Sequence, residues 1–568
     1  MGQAPCTGAE VAVHPAPIAW GSSGHPSSGG SMTPPLTSSP SSLKRRGFLG
    51  IAGAAGAAGA GAVLLGAGAA PVASAAPAAP GNVPADPFRL GVASGDPLPD
   101  GVVLWTRLAP KPLDDDGGMP RRPVAVRWEI ALDERFRKVV KRGVEHAVPA
   151  EAHTVHADVR GLRPHHEYYY RFRAGHAVSP VGRTRTAPAP GTSPTVDFAF
   201  ASCANWEQGH FTAYRHMAGE RPDVVFHLGD YLYEYAAGVN GDVRTHHGDE
   251  MNTLAEYRAR HAQYKSDPDL RLLHATAPFV VTWDDHETDN NYADLSPENG
   301  DAGQGNDTTA HFAARRRAAY QAYWEHMPLR RLRKPVDTAL PLYRRLEFGA
   351  TATFSVLDTR QYRTNQPYGD KWQVSGPEQW DPKATILGDE QHAWLERSLS
   401  RSRSAWNVLP QQIYFANWDA VAGPDDGGYN DGWDGYRVSR DRVLGYVEER
   451  RIDNFVVLTG DVHNNWTNDL RRDFERPETR LLGSEFVTTS ITSGGDGSAT
   501  HDPGRVYWDE NPHTKYYSSR RGYVRCSVSR DRYTADYRVV DYVTRPGAPV
   551  RTDKSFVIEA GVPGVRDA

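Results

Sequence analysis

The sequence is poor in cysteine and has no block of like charge. Only 3 of its 568 residues are cysteine, which excludes the disulfide framework of a small secreted scaffold. Its 64 basic and 69 acidic residues are interspersed and give a net charge of -5, so a broad nucleic-acid-binding surface is excluded. No internal repeat of roughly 20–50 residues is evident. A hydrophobic content of 39% over this length predicts a globular protein of two or three domains.

A long stretch without charge lies near the N-terminus. No charged residue stands between Arg46 and Asp86, and the apolar part, 47–70, is mostly Gly and Ala. This weak hydrophobicity favours a cleaved signal peptide over a membrane anchor, although the length would allow an anchor. Ala73-Ser74-Ala75 fits a cleavage site after Ala75, so we expect the mature chain to begin near residue 76.

The residues before this stretch predict the export route. Lys44-Arg45-Arg46-Gly47-Phe48-Leu49 is a twin-arginine pattern, which addresses folded proteins to the twin-arginine translocase. The first 40 residues are rich in Ser, Pro, Gly and Ala and predict disorder, with Met1 or Met32 as the start. We therefore expect a leader and signal peptide over 1–75, a linker over 76–87, and a secreted or cell-wall-associated protein.

Short strands follow the linker over residues 88–187. Alternating segments such as "GVVLWTRL", "VAVRWEI", "HTVHADV" and "HEYYYRFRA" are separated by turn residues every ten or so positions. This pattern predicts an N-terminal β-sandwich of the immunoglobulin or fibronectin kind.

The pattern changes over residues 195–552. Apolar runs that each end in polar residues recur there, with helical segments such as "NTLAEYRARHAQYKS" and "ARRRAAYQAYWEHM" between several of them. This alternation predicts an α/β domain with four layers, α/β/β/α. The segment "GYVRCSVSRDRYTADYRVVDYV" predicts a hairpin that closes the sheet, and 553–568 is left as a C-terminal tail.

Four of the strand ends carry groups that bind metals. They are Cys203, then Asp230 with Tyr233, then Asp284-Asp285-His286-Glu287, and finally Asp461 with His463. In an open α/β sheet such ends face one edge, so these residues can converge. Thiolate, phenolate and imidazole favour a soft or redox-capable ion, whereas carboxylates favour a hard one. The mixed set predicts two unlike metals side by side, which would clamp a phosphate and activate a water for in-line attack.

Each motif alone has a simpler interpretation. A "GD" after a strand is often only a turn, and the acidic block at Asp284 could begin a solvated helix. Cys203 could be a buried apolar thiol or could form a disulfide with Cys526. The metal site is favoured because all four motifs occur in order, each closing an apolar run.

At these residues the sequence resembles the PhoD-type alkaline phosphatases of the calcineurin-like metallophosphoesterase superfamily. The matching segments are "FRLGVASGDPLPDGVVLWTRLAP", "ASC", "GDYLYE", "WDDHE", "LDTRQYR" and "LTGDVH", spread over nearly the whole mature chain. The resemblance implies a ferric ion beside a calcium ion, bound by Cys203, Asp230, Tyr233, Asp285, Asp461 and His463.

The resemblance also implies individual roles. Asp230 would bridge the metals, Tyr233 and His463 would bind iron, and Asp461 would bind calcium. His286 would lie next to the phosphate and could protonate the leaving oxygen. Asp230, Asp285 and His286 would then form the catalytic set, while Tyr231 and Tyr235 would only pack.

Three residues are candidates for contact with substrate: Arg360, Gln411 and Asn464. Arg360 could bind phosphate or could form a structural ion pair with Asp358. Gln411 and Gln412 stand where the superfamily has another histidine block.

The resemblance predicts a monomeric phosphoesterase that hydrolyses phosphate monoesters and diesters with a metal-bound hydroxide. The first alternative is a phospholipase D of the same family, acting on phospholipid head groups, since sequence does not show how wide the mouth of the site is. The second is a secreted binding protein that uses the sandwich for adhesion and keeps an inactive site.

Overall fold

The computed structural model describes residues 83–298, 309–369 and 372–568. The predicted leader, signal peptide and most of the linker therefore lie outside the described residues. Among the described helices, none combines the length and the apolar character that crossing a membrane requires.

Eight strands form the N-terminal region. They are β1 (Val92–Leu98), β2 (Gly101–Arg107), β3 (Val124–Ala131), β4 (Val139–Ala147), β5 (Thr154–Arg160), β6 (Glu167–Ala174), β7 (Ala177–Val178) and β8 (Gly182–Arg185). One layer contains β1, β2 and β5, and the other has the order β4-β3-β6-β7 with β8 also paired to β6. Alternate side chains of both layers, among them Leu104, Val126 and Tyr170, share one buried core. The predicted β-sandwich is thus confirmed.

Sixteen further strands follow in the described part of the chain. They are β9 (Val196–Ala201), β10 (Val224–His227), β11 (Pro278–Val281), β12 (Arg344–Phe348), β13 (Ala352–Val356), β14 (Trp372–Val374), β15 (Trp406–Pro410), β16 (Gly427–Tyr429), β17 (Phe455–Thr459), β18 (Asn465–Arg471), β19 (Leu481–Val487), β20 (Thr514–Ser518), β21 (Arg521–Val528), β22 (Arg532–Val540), β23 (Val550–Glu559) and β24 (Arg566–Asp567). The helices are α1 (Thr212–Gly219), α2 (Leu254–Lys265), α3 (Pro268–Thr276), α4 (Thr309–His326), α5 (Gly388–Arg401), α6 (Arg437–Glu449) and α7 (Arg505–Glu510).

Two large sheets face each other and confirm the predicted α/β/β/α arrangement. One has the order β24-β23-β22-β21-β9-β10-β11-β1-β2-β5 and the other β12-β13-β15-β17-β19-β18-β20. Phe198 and Phe226 of the first sheet pack against Phe354 of the second, with ring centroids 5.4 and 4.6 Å apart. Helices α1–α4 cover the outer face of the first sheet, and α5 lies on the second, where Ser398 is 2.7 Å from Ser355.

The sandwich and the first large sheet are continuous, which the sequence pattern does not predict. Strand β1 pairs with β11 in parallel, with Ser94 opposite Pro278, so one sandwich layer extends the first large sheet. At the other edge, the predicted hairpin is β21 and β22, and β23 adds to it. Residue 552, where the sequence places the end of the catalytic domain, therefore falls inside a strand.

Helix α2 shows how local signals position the layer behind the site. Thr253 caps its first turn by accepting from the Glu256 N–H, while the Glu256 carboxylate accepts from the Thr253 N–H in return. At the other end, the Lys265 ammonium is buried 3.2 Å from His274 Nε2 and lies over the ring of Trp105. No ion pair to Lys265 is present in the described part of the chain, and burial lowers its pKa to about 7.

Replacing Lys265 by methionine is expected to stabilise the protein, and more so at pH 7 than at pH 10. The pKa of Lys265 is lowered in the folded state, so the unfolded chain binds the extra proton between about pH 7 and 10.5. The parent therefore loses stability as the pH falls through this window, and Lys265→Met should gain roughly 2–4 kcal/mol at pH 7. Thermal unfolding from pH 7 to 10 measures this. Lys111→Met, at an exposed position, is the control, and equal pH slopes for the parent and Lys265→Met would refute the interpretation.

Candidate metal centre

Four of the predicted ligands lie in turns with an unusual backbone conformation. Directly after β9, β10 and β17, the φ angles of Cys203, Asp230, Asp461 and His463 are 60°, 49°, 66° and 55°. Left-handed conformations are uncommon for residues other than glycine and are found mostly at functional sites. The carboxyl ends of the two large sheets meet here, where Ser202 and Ser490 form a bridge.

The turn that carries Asp230 is held against the block at Asp284. Gly229 has a φ of 112°, and a Cβ there would collide with Asp284, so glycine permits this close approach. The Glu287 carboxylate accepts from the N–H groups of Asp230 (3.1 Å), Tyr231 (2.7 Å) and Asp284 (2.9 Å). Glu287 therefore joins the ends of β10 and β11, a role that the sequence does not reveal.

The first set of donor atoms lies around the end of β10. One ligand atom from each of Cys203, Asp230 and His463 lies within 4.8 Å of the others. The Tyr233 hydroxyl donates to Asp230 Oδ2 at 2.9 Å and lies 3.1 Å from His463 Nε2. All four predicted soft-metal ligands thus converge, although 260 residues separate the first from the last in sequence.

The second set contains Asp230, Asp285 and His286, again within 4.8 Å of one another. Asp230 belongs to both sets, which is the position that a bridging carboxylate requires. Asp461 belongs to neither; its backbone oxygen lies 3.8 Å from Cys203 Sγ.

The site carries more buried negative charge than its own cations balance. Burial and the neighbouring carboxylates raise the pKa values of Asp230 and Asp461 well above their usual range, and that of Asp284 to about 7. Burial and the charge of Asp230 also raise the pKa values of the Cys203 thiol and the Tyr233 phenol. Bound cations would reverse these shifts.

One donor atom of the shared carboxylate also lacks a partner. Asp230 Oδ1 is buried and has no hydrogen-bond partner among the described residues, although it is a carboxylate oxygen. An excess of buried acids together with an unpartnered carboxylate oxygen fits a metal-binding site. The residues present therefore fit metal ions as a donor set.

His286 is oriented by a residue that the sequence analysis does not single out. Its Nδ1 lies 2.8 Å from Glu234 Oε2, and Glu234 Oε1 accepts from the Asn290 N–H at 2.9 Å. Burial lowers the pKa of His286, but the charges of Glu234 and Asp285 outweigh this and raise it well above its usual value. Glu234 is the last residue of the segment "GDYLYE", and its place in that motif is the one feature of the sequence that could have indicated this role.

Arg360 does not pair with Asp358. Its guanidinium is fully buried and donates to Asp284 and, with two bonds of 2.9 and 2.7 Å, to Asp431. From Arg360 the Asp358 carboxylate accepts the backbone N–H, at 3.1 Å, and it also accepts bonds from Gln361. A phosphate contact by Arg360 is therefore not supported, because its donors are engaged in internal pairs. Asp431, which sequence reasoning missed, has no motif of its own.

The Gln411 side chain is also hydrogen-bonded to other residues of the protein. Its amide donates to Thr459 Oγ1 at 2.6 Å and accepts from the Trp433 ring at 3.0 Å, and it is fully buried, as is Gln412. A substrate contact by Gln411 is not supported either. Asn464 is half-buried beside His463, and its amide donates to the Val462 carbonyl at 3.1 Å.

Cys203 and Cys526 are both free thiols, so the alternative of a disulfide between them is wrong. Tyr231 is buried and donates to or accepts from His274 Nε2 at 2.8 Å. Tyr235 is half-buried, and its ring centroid lies 5.4 Å from that of His286.

Comparison with known proteins shows the family to which the chain belongs. Residues 198–537 match the family described as PhoD-like phosphatase, and residues 73–188 match the N-terminal domain of the PhoD-like phosphatases. The chain belongs to the PhoD-like phosphatases. The resemblance inferred from the strand-end motifs is thus confirmed.

Two relatives cover most of this PhoD-like phosphatase. Alkaline phosphatase D of Bacillus subtilis (strain 168) is 50% identical over 490 residues, which covers 85% of this chain and 83% of the relative. A solved structure described as "Structure of PhoD" has a TM-score of 0.82 at 50% identity, covering 85% of this chain and 92% of that chain. The PhoD-like phosphatase described here is therefore an enzyme, a PhoD-type phosphoesterase that hydrolyses phosphoric esters.

Proposed function

We propose that the enzyme hydrolyses phosphate monoesters, and also diesters, at the edge where the carboxyl ends of β9, β10, β11 and β17 meet. The observation that carries this proposal is that Asp230 belongs to both donor sets, with His286 beside the second. Two adjacent cations would neutralise charge on the phosphate oxygens and lower the pKa of a water that attacks phosphorus in line.

We assign a ferric ion to the first donor set and calcium to the second. Thiolate, phenolate and imidazole suit iron, and Cys203, Tyr233 and His463 supply them. Carboxylates suit calcium, and the second set supplies Asp285 together with the shared Asp230. Asp461, which lies outside both sets, would supply a further carboxylate. This division follows the chemistry of the donors, and the excess of buried acids supports it.

His286 has a role of its own in the proposed reaction. The Glu234 carboxylate accepts from Nδ1–H, which fixes the ring and directs Nε2 away from Glu234. A proton carried on Nε2 can then be donated to a phosphate oxygen or to the leaving oxygen. Asp285 lies next to it and accepts from the His286 backbone N–H at 3.0 Å.

The test compares three substrates: p-nitrophenyl phosphate, bis-p-nitrophenyl phosphate and phosphatidylcholine. We expect hydrolysis of the first two, loss of activity in a calcium chelator, and recovery when calcium is added. Activity confined to phosphatidylcholine would favour the alternative, a phospholipase D that acts on phospholipid head groups. Full activity after exhaustive chelation, in protein without calcium, would refute the metal assignment.

Changing Tyr233 to phenylalanine should remove the proposed iron phenolate. The ring of Tyr233 is buried, so phenylalanine keeps its packing and loses only the ligand oxygen. We expect the parent to be coloured and Tyr233→Phe to lose or shift the visible band, with at least about a tenfold loss of turnover. Tyr231→Phe is the matched control and should keep the band, because the Tyr231 hydroxyl bonds to His274 and not to a proposed ligand. A Tyr233→Phe protein with the parental band and full iron content would exclude Tyr233 as a ligand.

We also propose that the enzyme acts outside the cell as a monomer and leaves it through the twin-arginine translocase. Replacing Arg45 and Arg46 together by lysine is expected to leave the precursor inside the cell, because the translocase requires the arginine pair. Immunoblots of cells and medium measure this, with Lys44→Arg as the control. Parental amounts of the double variant in the medium would exclude this route.

A further inference from the structure

The loop after β19 lies directly behind the first donor set. This segment, 488–497, has the sequence "TTSITSGGDG", and we call it the serine loop. Its Ser493 hydroxyl is 2.7 Å from the Tyr233 hydroxyl oxygen, and its Thr489 hydroxyl donates to the His463 carbonyl at 2.9 Å. Two predicted ligands from distant parts of the chain are thus supported by one loop.

The serine loop also contacts the third soft ligand. The Ser493 hydroxyl lies 3.0 Å from the Cys203 carbonyl oxygen, and the N–H groups of Thr492 and Ser493 approach the same oxygen at 3.3 Å. The backbone of Cys203 is therefore held by the loop that supports Tyr233 and His463. These contacts are made to the backbone carbonyls of Cys203 and His463 and not to the atoms that would bind the metal. They therefore hold the two residues in position and do not change the charge of the thiol or the imidazole.

Arg521, the first residue of β21, joins this loop to the His463 turn. Its guanidinium donates to the His463 carbonyl, to the Ser490 hydroxyl at 3.1 Å and to the Gly495 carbonyl at 3.0 Å. Gly494 has a φ of 85°, and a Cβ there would approach the Arg521 guanidinium to 2.8 Å. The glycines of the serine loop thus leave the space that this side chain occupies.

The buried guanidinium of Arg521 has no acid at ion-pair distance among the described residues, which is also true of Arg107 and Arg260. Arg521 is 4% exposed. By contrast, two carboxylates hold the buried Arg360 on the other side of the site. A buried charge with no counter-ion is unfavourable unless hydrogen bonds compensate for it. Here its partners are carbonyl and hydroxyl oxygens that belong to the two segments behind the site.

We propose that Arg521 is a positioning residue for metal binding. Arg521 holds the serine loop against the His463 turn, and this orients Cys203, Tyr233 and His463 so that all three can bind one ion. This inference rests on the proposed function, because it assumes that these three residues are ligands. Partners that orient ligands without touching the metal typically change metal affinity or activity by about 10–100-fold. The Arg521 guanidinium uses Nε for the Gly495 carbonyl, Nη1 for His463 and Ser490, and Nη2 for the Gly494 carbonyl. The single ammonium group of lysine cannot reproduce this planar arrangement of donors.

The test uses the purified holoenzyme with Arg521→Lys. Lysine keeps the positive charge but lacks the planar guanidinium and its several N–H donors. We expect the rate of iron loss to EDTA, followed by elemental analysis and by the visible band, to rise at least about tenfold. Turnover of p-nitrophenyl phosphate should fall in proportion to the iron lost, with KM unchanged. Ser493→Ala should shift the visible band, and Ser493→Thr, which keeps a hydroxyl, should restore it.

Arg520→Lys is the matched control, because Arg520 is the neighbouring residue and pairs with Asp541 at the surface. Its iron loss and turnover should equal those of the parent. Parental iron retention and spectrum in Arg521→Lys, with an active and metal-loaded parent, would overturn the inference and leave the proposed function intact. A parent that keeps iron but hydrolyses no phosphate ester would instead refute the proposed function, while faster iron loss from Arg521→Lys would still support the positioning role.

Discussion

Replacing Asp230 by asparagine is expected to reduce kcat for p-nitrophenyl phosphate by at least about a thousandfold, because one change weakens both donor sets. Asparagine has the size of aspartate, so the packing of the buried turn is kept. The amide carries no negative charge and cannot hold two cations at once. Steady-state kinetics with elemental analysis of iron and calcium measures the effect.

The same variant should not destabilise the metal-free protein. Burial and neighbouring acids raise the pKa of Asp230, which means that its charge is unfavourable without a cation. With a chelator present we therefore expect Asp230→Asn to unfold at the parental temperature or above it. Asp242→Asn, at an exposed position, is the control for activity. An inactive Asp230→Asn protein that also unfolds earlier in chelator would indicate a structural role instead.

Replacing Cys203 by serine is expected to reduce turnover by about a hundredfold and to deplete iron. A hydroxyl has almost the shape of a thiol, but it loses its proton far less readily and is a poorer ligand for a soft ion. Cys203 is fully buried beside Asp230 and His463, so the substituted oxygen would sit among the same donors. Iron per chain, the visible band and kcat should fall together.

The chain contains its own matched control for this substitution. Cys526 is also a buried free thiol, but its sulfur accepts from the Tyr533 hydroxyl at 3.3 Å, between the two sheets. Cys526→Ser should keep iron and stay within about threefold of parental turnover, with only a modest loss of stability. Equal losses of iron in the two serine variants would show that the effect comes from packing and not from ligation.

The positions of the site residues follow from the sequence because each one closes an apolar run. The runs before Cys203, Asp230, Asp285 and Asp461 are β9, β10, β11 and β17, which are parallel within their sheets, so their ends meet at one edge. Glu234, Asp431 and Arg521 could not be found in this way. Their roles depend on contacts between segments far apart in sequence, and such contacts leave no periodic signal.

Contacts between distant segments also decide two features beside the site. Strand β19 ends at Val487, and hydroxyl residues after it bond to the turns of His463 and Cys203. The ion pair of Arg360 with Asp358, one of the two alternatives that the motif leaves open, does not form, because the buried guanidinium pairs with Asp284 and Asp431 from two other loops. Proximity in sequence is a weak guide to the partners of a long polar side chain.

The pairing of β1 with β11 makes the N-terminal region unsuitable as a detachable module. Trp105 Nε1 donates to the Glu325 carbonyl at 2.9 Å and Arg344 pairs with Asp96 at 2.8 Å, so several polar contacts cross the junction. A fragment that starts at residue 195 would expose the edge of β11 and its unpaired backbone groups, which promotes aggregation. Conversely, a protease cut in the segment between β8 and β9 should leave two pieces that stay associated and migrate as one species under native conditions. A fusion protein that uses this catalytic region therefore requires the N-terminal sandwich as well, supplied on the same chain or on a second one.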